Sequence, residues 1–193
     1  MKRLLLSRHG QSTFNVEGLV NGDPNVPVPL TAAGEEQARR LGQQLAGAGF
    51  GVCVHTRFER TRRTAELALA GRDVPFLEEP GLDDVKIGEL EGATREDFRL
   101  WKASHARDKR FPGGESLDEA ARRYVAALRR VLALPFDSVL VVCHELPIRY
   151  ALNAAGGSDD LDHPLHDIPN ATPYLFDGPV LAAAVDRIEQ LAD

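Results

Sequence analysis

The chain has 193 residues, of which 43% are hydrophobic and 27% are charged, and its formal net charge is −6. This composition excludes a disordered or fibrous chain, and the length is sufficient to bury a hydrophobic core. The acidic balance argues against charge-driven binding to nucleic acid or to an anionic membrane, because both need a basic surface. An anionic small molecule stays open as a ligand, since a few converging arginines dominate the potential of a pocket.

Strand-like and helical patterns alternate along the chain. Buried strands are predicted over residues 4–7, 52–54, 74–77 and 139–143, with later candidates at 174–176 and 180–185. Helices are predicted over residues 32–47, 57–70, 94–104, 117–131 and 146–155. The alternation predicts a three-layer α/β/α sandwich with a mostly parallel central sheet. We expect a single domain over residues 1–193.

The cysteines and the N-terminal segment indicate the cellular compartment of the protein. Cys53 and Cys143 are the only cysteines, and both lie in β-branched apolar runs, which favours reduced, buried thiols over a disulfide framework. The apolar run at residues 4–6 is too short for a signal peptide, and no segment approaches the roughly 18 apolar residues of a membrane helix. We therefore expect a cytoplasmic protein without a membrane or nucleic-acid partner.

Two groups of polar residues directly follow predicted strands. Arg8 and His9 come after the first strand, and His144 comes after the fourth. Ligands of parallel sheets bind beyond the carboxyl ends of the strands, so these side chains are expected at one site. Residues 10–31 form a long loop rich in glycine and proline, and such loops are usually functional. Taken alone, Arg8-His9-Gly10 is also compatible with a surface turn in which glycine supplies a positive φ.

Five stretches of the sequence match, in order, the motifs of one protein family. Residues 8–15 (RHGQSTFN) are similar to Arg-His-Gly-Glu-Thr-x-x-Asn, and residues 29–38 to Pro-Leu-Thr-x-x-Gly-x-x-Gln-Ala. Residues 60–65 are similar to Arg-Ala-x-x-Thr-Ala, residues 88–92 to Gly-x-Trp-Glu-Gly, and residues 141–144 to a strand that ends in histidine. Over roughly residues 4–176, the chain therefore resembles the histidine phosphatase superfamily, the phosphoglycerate mutase-like proteins.

The resemblance implies that His9 is a nucleophile that takes up a phosphoryl group. The residues that it places around the phosphate are Arg8, Ser12, Asn15, Arg60 and His144. Transfer to a histidine nitrogen divides a difficult displacement into two easier steps, and arginine forks match phosphate geometry. His9 has to be unprotonated on its attacking nitrogen, and His144 is most useful protonated, so the two are expected to titrate apart. The resemblance implies neither a metal nor an organic cofactor.

The proton donor is the first departure from the family pattern. A leaving alkoxide needs a proton, so a carboxylic acid has to lie near the phosphate. The resemblance places Asp84 where the family has a glutamate, and aspartate is shorter by one methylene group. Asp83, Glu89 and Glu91 are rival candidates, and the segment is also compatible with a solvated loop.

Glu145 is a second departure, because it follows His144 where the family usually has glycine. An inward carboxylate would repel the substrate, so we expect it to point outward or to cap the next helix. A contact with a cationic group of the substrate stays open. Arg62 and Arg63 are interpreted as surface residues, whereas Arg57 could reach the substrate.

Two other features suggest competing chemistry. Cys143 and Arg149 have the bare spacing of the phosphate loop of cysteine-dependent phosphatases. The residues between them include no glycine, and Pro147 lacks the N–H group that such a loop aims at phosphate. His163 and His166 lie in an acidic segment and suggest a metal site or, without a third ligand, a polar loop. The stretch at residues 170–172 resembles a late family stretch near the pocket.

We therefore predict a metal-independent phosphomonoester hydrolase, a histidine acid-type phosphatase acting on a small phosphorylated metabolite through phosphohistidine. The alternatives are a cofactor-dependent phosphoglycerate mutase and a catalytically weakened phosphate-binding protein. Mutases of the family are typically longer, with segments that shield the phosphoenzyme from water, which favours hydrolysis here. Residues 94–134 are expected to contribute a helical lid, with 94–116 choosing the substrate, and a homodimer is compatible with the sequence.

Overall fold

The structure is a computed structural model that describes residues 2–193, and Met1, the first residue of the predicted domain, lies outside them. The strands within this range are β1 (Arg3–Arg8), β2 (Val52–His55), β3 (Phe76–Glu78), β4 (Ser138–Cys143) and β5 (Pro173–Asp177). The α-helices are α1 (Thr13–Glu17), α2 (Ala32–Gln44), α3 (Glu59–Ala68), α4 (Arg95–Ser104), α5 (Leu117–Ala133), α6 (Glu145–Ala155) and α7 (Gly178–Ala192). Among these elements, α1 lies inside the segment that the sequence presents as a loop.

The five strands form one sheet in the order β3-β2-β4-β1-β5, and only β5 runs antiparallel to its neighbour. Helices cover both faces of this sheet. Val139 and Val141 of β4 pack into a core with α5, α6 and α7, whereas Leu140 and Val142 pack against α2 and α3. Successive residues of a strand face opposite sides, so a continuous apolar run is what a strand buried on both faces requires. The predicted α/β/α fold class is confirmed.

Helix α5 shows how the local sequence specifies an element. Ser116 caps the helix by accepting a hydrogen bond from the backbone N–H of Glu119 at 3.0 Å, and the Glu119 carboxylate accepts one from the Ser116 N–H at 2.8 Å. Tyr124 and Leu128 lie one turn apart and are fully buried. A cap of this kind contributes about 1 kcal/mol, and the apolar stripe supplies most of the remaining stability.

The prediction of a strand over residues 180–185 is wrong, because these residues belong to α7. Leu181, Val185 and Ile188 are buried at helical spacing, whereas Val180 is 48% exposed. The apolar run resembles a buried strand, but Pro179 in the first turn and the alanines favour a helix. Short apolar runs do not separate these two cases by periodicity alone.

The sheet brings three strand ends together at one edge. β1 and β4 are parallel neighbours, and their register pairs Arg8 with Cys143. The backbone N–H of His9 continues this ladder by donating to the carbonyl oxygen of Cys143 at 3.0 Å. β2 lies on the other side of β4, so the residue after it, Thr56, reaches the same edge. Within residues 2–193, no helix is long and apolar enough to cross a membrane.

Candidate active site

A cavity of about 300 Å³ opens at this edge of the sheet. Six of the seven predicted site residues line it, namely Arg8, His9, Ser12, Asn15, Arg60 and Asp84. The seventh, His144, is fully buried and contacts Arg60 and Asp84. The size of the cavity suits a small organic ligand.

His9 is held with one ring nitrogen available for reaction. Its Nδ1 atom lies 2.7 Å from the carbonyl oxygen of Gly10, and because a carbonyl only accepts, Nδ1 carries the proton. Nε2 is therefore unprotonated, and the Nε atom of Arg60 donates to it at 3.1 Å. Burial, followed by the charges of Arg60 and Arg8, lowers the pKa of His9 well below its ordinary value of 6.5. At neutral pH the ring is uncharged, which is the state that a nucleophile needs.

Arg60 is held in place by Phe58 and Asn21, in addition to its contact with His9. Its guanidinium lies over the ring of Phe58, 4.2 Å from the ring centre, and its Nη1 and Nη2 atoms donate to the side-chain and backbone oxygens of Asn21. Burial lowers the pKa of Arg60 to about 10, so the group stays charged at neutral pH. A buried cation held in this way is preorganised for an anion.

His144 is oriented by a chain of hydroxyl groups. Its Nε2 atom lies 2.9 Å from the Thr56 hydroxyl, which in turn lies 2.8 Å from the Thr61 hydroxyl. Thr61 donates to the carbonyl oxygen of Phe58 at 2.8 Å, so the chain is satisfied when Nε2 donates to Thr56. The Nδ1 atom then faces Arg60 Nη2 at 3.4 Å.

The expectation that His144 is protonated is not met in this structure, because its pKa is shifted in the same direction as that of His9. Burial, followed by the charges of Arg60 and of His9, lowers the pKa of His144 well below its ordinary value as well. The two rings lie 5.5 Å apart, centre to centre, between the same cations. A bound phosphate dianion would oppose these effects and favour a proton on Nδ1.

Asp84 lies beside His144 and Arg60. Its Oδ2 atom is 3.6 Å from Nδ1 of His144 and 3.7 Å from Nη2 of Arg60. Burial raises the pKa of Asp84 above its ordinary value of 3.8, and the charge of Glu145 adds to this while Arg60 opposes it. The side chain remains 24% exposed, so it also meets solvent. A raised pKa favours the protonated form that a general acid needs.

Asp83 and Glu91, two of the other candidates for the proton donor, bind groups outside the phosphate site. Asp83 accepts from the backbone N–H and Nε of Arg57 at 3.0 and 2.6 Å, which also keeps Arg57 out of the cavity lining. Glu91 accepts from Asn21 Nδ2 and from the N–H groups of residues 22 and 23, and thereby holds the loop that carries Asn21. Within the described residues, Asp84 is the one acid of these four, Glu89 included, that lines the cavity.

Ser12 and Asn15 form the first turn of α1. The Ser12 hydroxyl accepts from the Asn15 N–H at 3.3 Å, and the Asn15 side-chain oxygen accepts from the Ser12 N–H at 3.0 Å. Asn170 donates to the same Asn15 oxygen at 3.3 Å and to the carbonyl oxygen of His9 at 2.9 Å. With its oxygen occupied, Asn15 offers its amide N–H₂ group as a donor.

Arg8 is held by Glu145, contrary to the expectation that Glu145 points outward. Nη1 of Arg8 lies 3.0 Å from the Glu145 carboxylate and also donates to the carbonyl oxygen of Ile168 at 2.6 Å. Arg149 shares the same carboxylate at 3.0 Å. Two arginines therefore draw the Glu145 carboxylate inward. Glu145 still stands in the first turn of α6, where an acid is favoured, but the helix has no side-chain cap hydrogen bond. In the part of the chain that the structure describes, Nε of Arg8 is buried without a hydrogen-bond partner.

Most of the chain matches one known protein family. The model of the histidine phosphatase superfamily (branch 1) matches residues 4–177. The chain belongs to this superfamily. The family resemblance predicted from the sequence is confirmed.

Relatives of this superfamily member carry different names. A curated relative from Salmonella paratyphi B, named "probable phosphoglycerate mutase GpmB", is 33% identical over 156 residues, which cover 77% of this chain and 72% of the relative. The solved alpha-ribazole phosphatase from Shigella flexneri is 26% identical with a TM-score of 0.72, and covers 91% of this chain and 90% of its own. A phosphoglycerate mutase from Thermus thermophilus is 30% identical with a TM-score of 0.67, over 92% and 94% of the two chains.

The alternative of a cysteine-dependent phosphatase fits this site poorly. Cys143 is fully buried, and burial raises the pKa of its thiol to about 12, so a thiolate is disfavoured at neutral pH. Arg149 is bound to Glu145 and Asp162. Among residues 2–193, no three His, Cys, Asp or Glu side chains are grouped to hold a metal ion. His163 pairs with Asp160 at 2.7 Å.

The sequence patterns did not indicate four of the residues that support this site. They are Asn21, Thr56, Phe58 and Thr64, of which Thr64 accepts a hydrogen bond from the Gly10 N–H at 2.9 Å. Only Thr64 carried a signal, because it stands in the stretch at 60–65 that resembles a family motif. Asn21 and Thr56 act through contacts between distant parts of the chain, which local patterns do not display. Phe58 contacts the nearby Arg60 and also the distant ring of His144, 4.6 Å away between ring centres.

Proposed function

We propose that this histidine phosphatase is a metal-independent phosphomonoester hydrolase that acts on a small phosphorylated metabolite through a phosphohistidine. The observation that carries the proposal is the tautomer of His9. The contact between Nδ1 and Gly10 leaves Nε2 unprotonated inside a cavity where Arg8 and Arg60 supply positive charge. A neutral imidazole beside fixed cations combines a nucleophile with a site for phosphate charge.

In the first step, the Nε–H of Arg60 turns from Nε2 of His9 to a phosphate oxygen and frees the lone pair of Nε2. Nε2 then attacks phosphorus, the N–P bond forms, and the bond to the ester oxygen breaks. Asp84 gives its proton to the leaving oxygen and becomes a carboxylate. Arg8, Arg60 and Asn15 hold the phosphoryl oxygens and stabilise the charge that develops on them. His144 donates through Nδ1 once the bound anion favours its protonated form.

In the second step, water attacks phosphorus while the Asp84 carboxylate takes its proton. The N–P bond breaks, inorganic phosphate leaves, and His9 and Asp84 return to their starting states. The exposed fraction of Asp84 supports hydrolysis over mutase chemistry, because solvent reaches the group that would activate water. A mutase has to exclude water from its phosphoenzyme.

The test is phosphate release from phenyl phosphate without added metal and in the presence of a chelator. We expect turnover by the wild type, loss of turnover in His9→Ala, and little change in His163→Ala, a histidine with a 60% exposed side chain outside the cavity. Acid-labile, base-stable phosphate on the wild-type chain would mark phosphohistidine. Activity in His9→Ala would overturn the proposal.

The mutase alternative is tested with 3-phosphoglycerate, because two similar proteins carry a phosphoglycerate mutase name. Interconversion of phosphoglycerates faster than phosphate release would establish a mutase. The ester named for the Shigella flexneri relative, alpha-ribazole phosphate, belongs in the same substrate screen. Binding of phosphate without turnover of any ester would indicate a protein that only binds phosphate.

A further inference from the structure

Arg123 of α5 binds the loop that carries Asp84, although it lies outside the cavity lining. Its Nη1 atom donates to the carbonyl oxygens of Gly81 and Asp83 at 3.0 and 2.9 Å, and its Nη2 atom donates to that of Asp84 at 3.2 Å. One guanidinium therefore binds the backbone at three points around Asp84. Because the donors of a guanidinium form a planar, rigid fork, they fix the backbone more closely than a single hydrogen bond does.

Glu115 holds the far end of the same loop. Its backbone N–H donates to the carbonyl oxygen of Lys86 at 2.9 Å, and its Oε1 atom accepts from the Lys86 N–H at 2.9 Å. The same carboxylate accepts from Nε of Arg123 at 3.2 Å and from its Nη2 atom. Glu115 is only 8% exposed, so solvent screens this ion pair weakly. The Arg123–Glu115 pair thus holds residues 81–86 from both ends.

The Arg123–Glu115 pair belongs to the N-terminal part of α5. Glu115 directly precedes the cap residue Ser116, and Arg123 follows that cap by two turns. Tyr124 and Leu128 bury the helix in the core. A side chain whose own position is fixed by a packed helix can hold a neighbouring loop within a fraction of an ångström.

The loop directs one oxygen of Asp84 towards the reacting groups. Oδ1 accepts from the Val85 N–H at 3.0 Å, and Oδ2 faces Nδ1 of His144 at 3.6 Å. The oxygen that accepts from a backbone N–H is favoured as the carbonyl oxygen of the acid, so the proton belongs on Oδ2. Aspartate has one side-chain torsion fewer than glutamate. The position of Oδ2 therefore depends directly on the backbone that Arg123 binds.

We infer that Arg123, through its contacts with the loop and with Glu115, is a positioning residue for the proton donor Asp84. This inference rests on the proposed function, in which Asp84 protonates the leaving oxygen. Arg123 does not touch the substrate and acts by keeping Oδ2 within reach of that oxygen. Its loss impairs proton transfer more than phosphate binding, which depends on Arg8 and Arg60.

The test compares phenyl phosphate, whose leaving group needs a proton, with 2,4-dinitrophenyl phosphate, whose leaving group departs as an anion. The measured quantity is kcat/KM for the dinitrophenyl ester divided by kcat/KM for the phenyl ester. We expect Arg123→Gln to raise this ratio about tenfold, in the direction of Asp84→Asn, because a misplaced acid slows only the ester that needs its proton. Arg129→Gln, which removes an exposed arginine of the same helix paired with Glu189, should leave the ratio unchanged.

Two further variants separate positioning from a general structural role. Arg123→Lys keeps the charge beside Glu115 but lacks the planar fork, so the ratio should rise severalfold in a less disturbed protein. The double variant Arg123→Gln/Asp84→Asn should have the ratio of Asp84→Asn alone, since Arg123 acts through that carboxyl group. A wild-type ratio in both Arg123→Gln and Arg123→Lys, even with an equal loss of rate on the two esters, would overturn the positioning role.

Backbone ¹⁵N relaxation measures the effect on the loop without turnover. The order parameters of the Val85 and Lys86 amides should fall in Arg123→Gln from about 0.85, the value of rigid backbone, towards about 0.6, while those of β1 stay constant. If they fall and the wild type hydrolyses neither ester, the hold on the loop is supported and the phosphatase function is contradicted. Unchanged order parameters would overturn the inference even if hydrolysis is confirmed.

Discussion

The carboxylate of Glu145 lies 3.0 Å from Nη1 of Arg8, one of the two arginines proposed to bind phosphate. The contact has two opposite effects on an incoming anion. It holds the guanidinium in place, and it puts a negative charge beside the phosphate site. The same charge contributes to the raised pKa of Asp84.

The first prediction concerns Glu145→Gln, which removes the charge but keeps the shape. We expect inorganic phosphate to bind about fivefold more tightly, because a charge interaction of ~1 kcal/mol is lost at a partly exposed position. Competitive inhibition by phosphate at neutral pH measures this. Glu36→Gln, an exposed site outside the cavity, is the control. Weaker binding would show that Glu145 acts mainly by positioning Arg8.

The second prediction concerns the pH dependence of kcat/KM. His9 has to be unprotonated and its pKa lies well below 6.5, so the rising limb is expected below that pH. Asp84 has to be protonated and its pKa is raised above 3.8, so the falling limb is expected above that pH. The profile should therefore be bell-shaped, with its acid limb set by His9 and its alkaline limb set by Asp84.

Two variants identify the falling limb of that profile. Asp84→Asn should abolish it together with most of the activity on phenyl phosphate. Glu145→Gln should move it to lower pH, since a negative charge that raises the pKa of Asp84 is removed. A falling limb that stays in place in both variants would assign it to another group.

The third prediction concerns the hydroxyl that orients His144. Thr56→Val removes the partner of Nε2, and we expect kcat to fall about tenfold because the ring loses its fixed tautomer and direction. Thr56→Ser keeps the hydroxyl and should retain most of the activity. Equal rates in the two variants would mean that packing alone orients His144.

The fourth prediction concerns stability. Within the described chain, the hydroxyl of Tyr124 is buried without a hydrogen-bond partner. Tyr124→Phe should raise the free energy of unfolding by about 1 kcal/mol, because an unsatisfied polar group is removed without a change of shape. Leu128→Ala, one turn away in the same core, should lower it by ~2–5 kcal/mol. Urea denaturation measures both, and a destabilised Tyr124→Phe protein would contradict the argument.

The sequence predicted the central strands and the main helices because both faces of β1 and β4 are apolar and α5 carries a regular stripe and cap. It failed at residues 180–185, where an alanine-rich apolar run is compatible with two periodicities. The site residues that follow strand ends were predicted together because parallel strands end at one edge. The orientation of Glu145 and the support from Asn21 and Thr56 depend on residues far away in the chain, so no local pattern contains them.

Strands β1 and β4 are paired over six residues, which bears on the order in which parts of the protein unfold. Amide hydrogens of central paired strands exchange slowly with solvent, so the spacing of His9 and His144 is expected to persist through partial unfolding. Helix α4, in contrast, buries none of its residues fully, and Leu100 on it is 58% exposed. It can detach at low cost while the reacting nitrogens keep their places. Because residues 94–116 are predicted to choose the substrate, we expect substitutions on α4 to alter which ester is accepted without disturbing how it is cleaved.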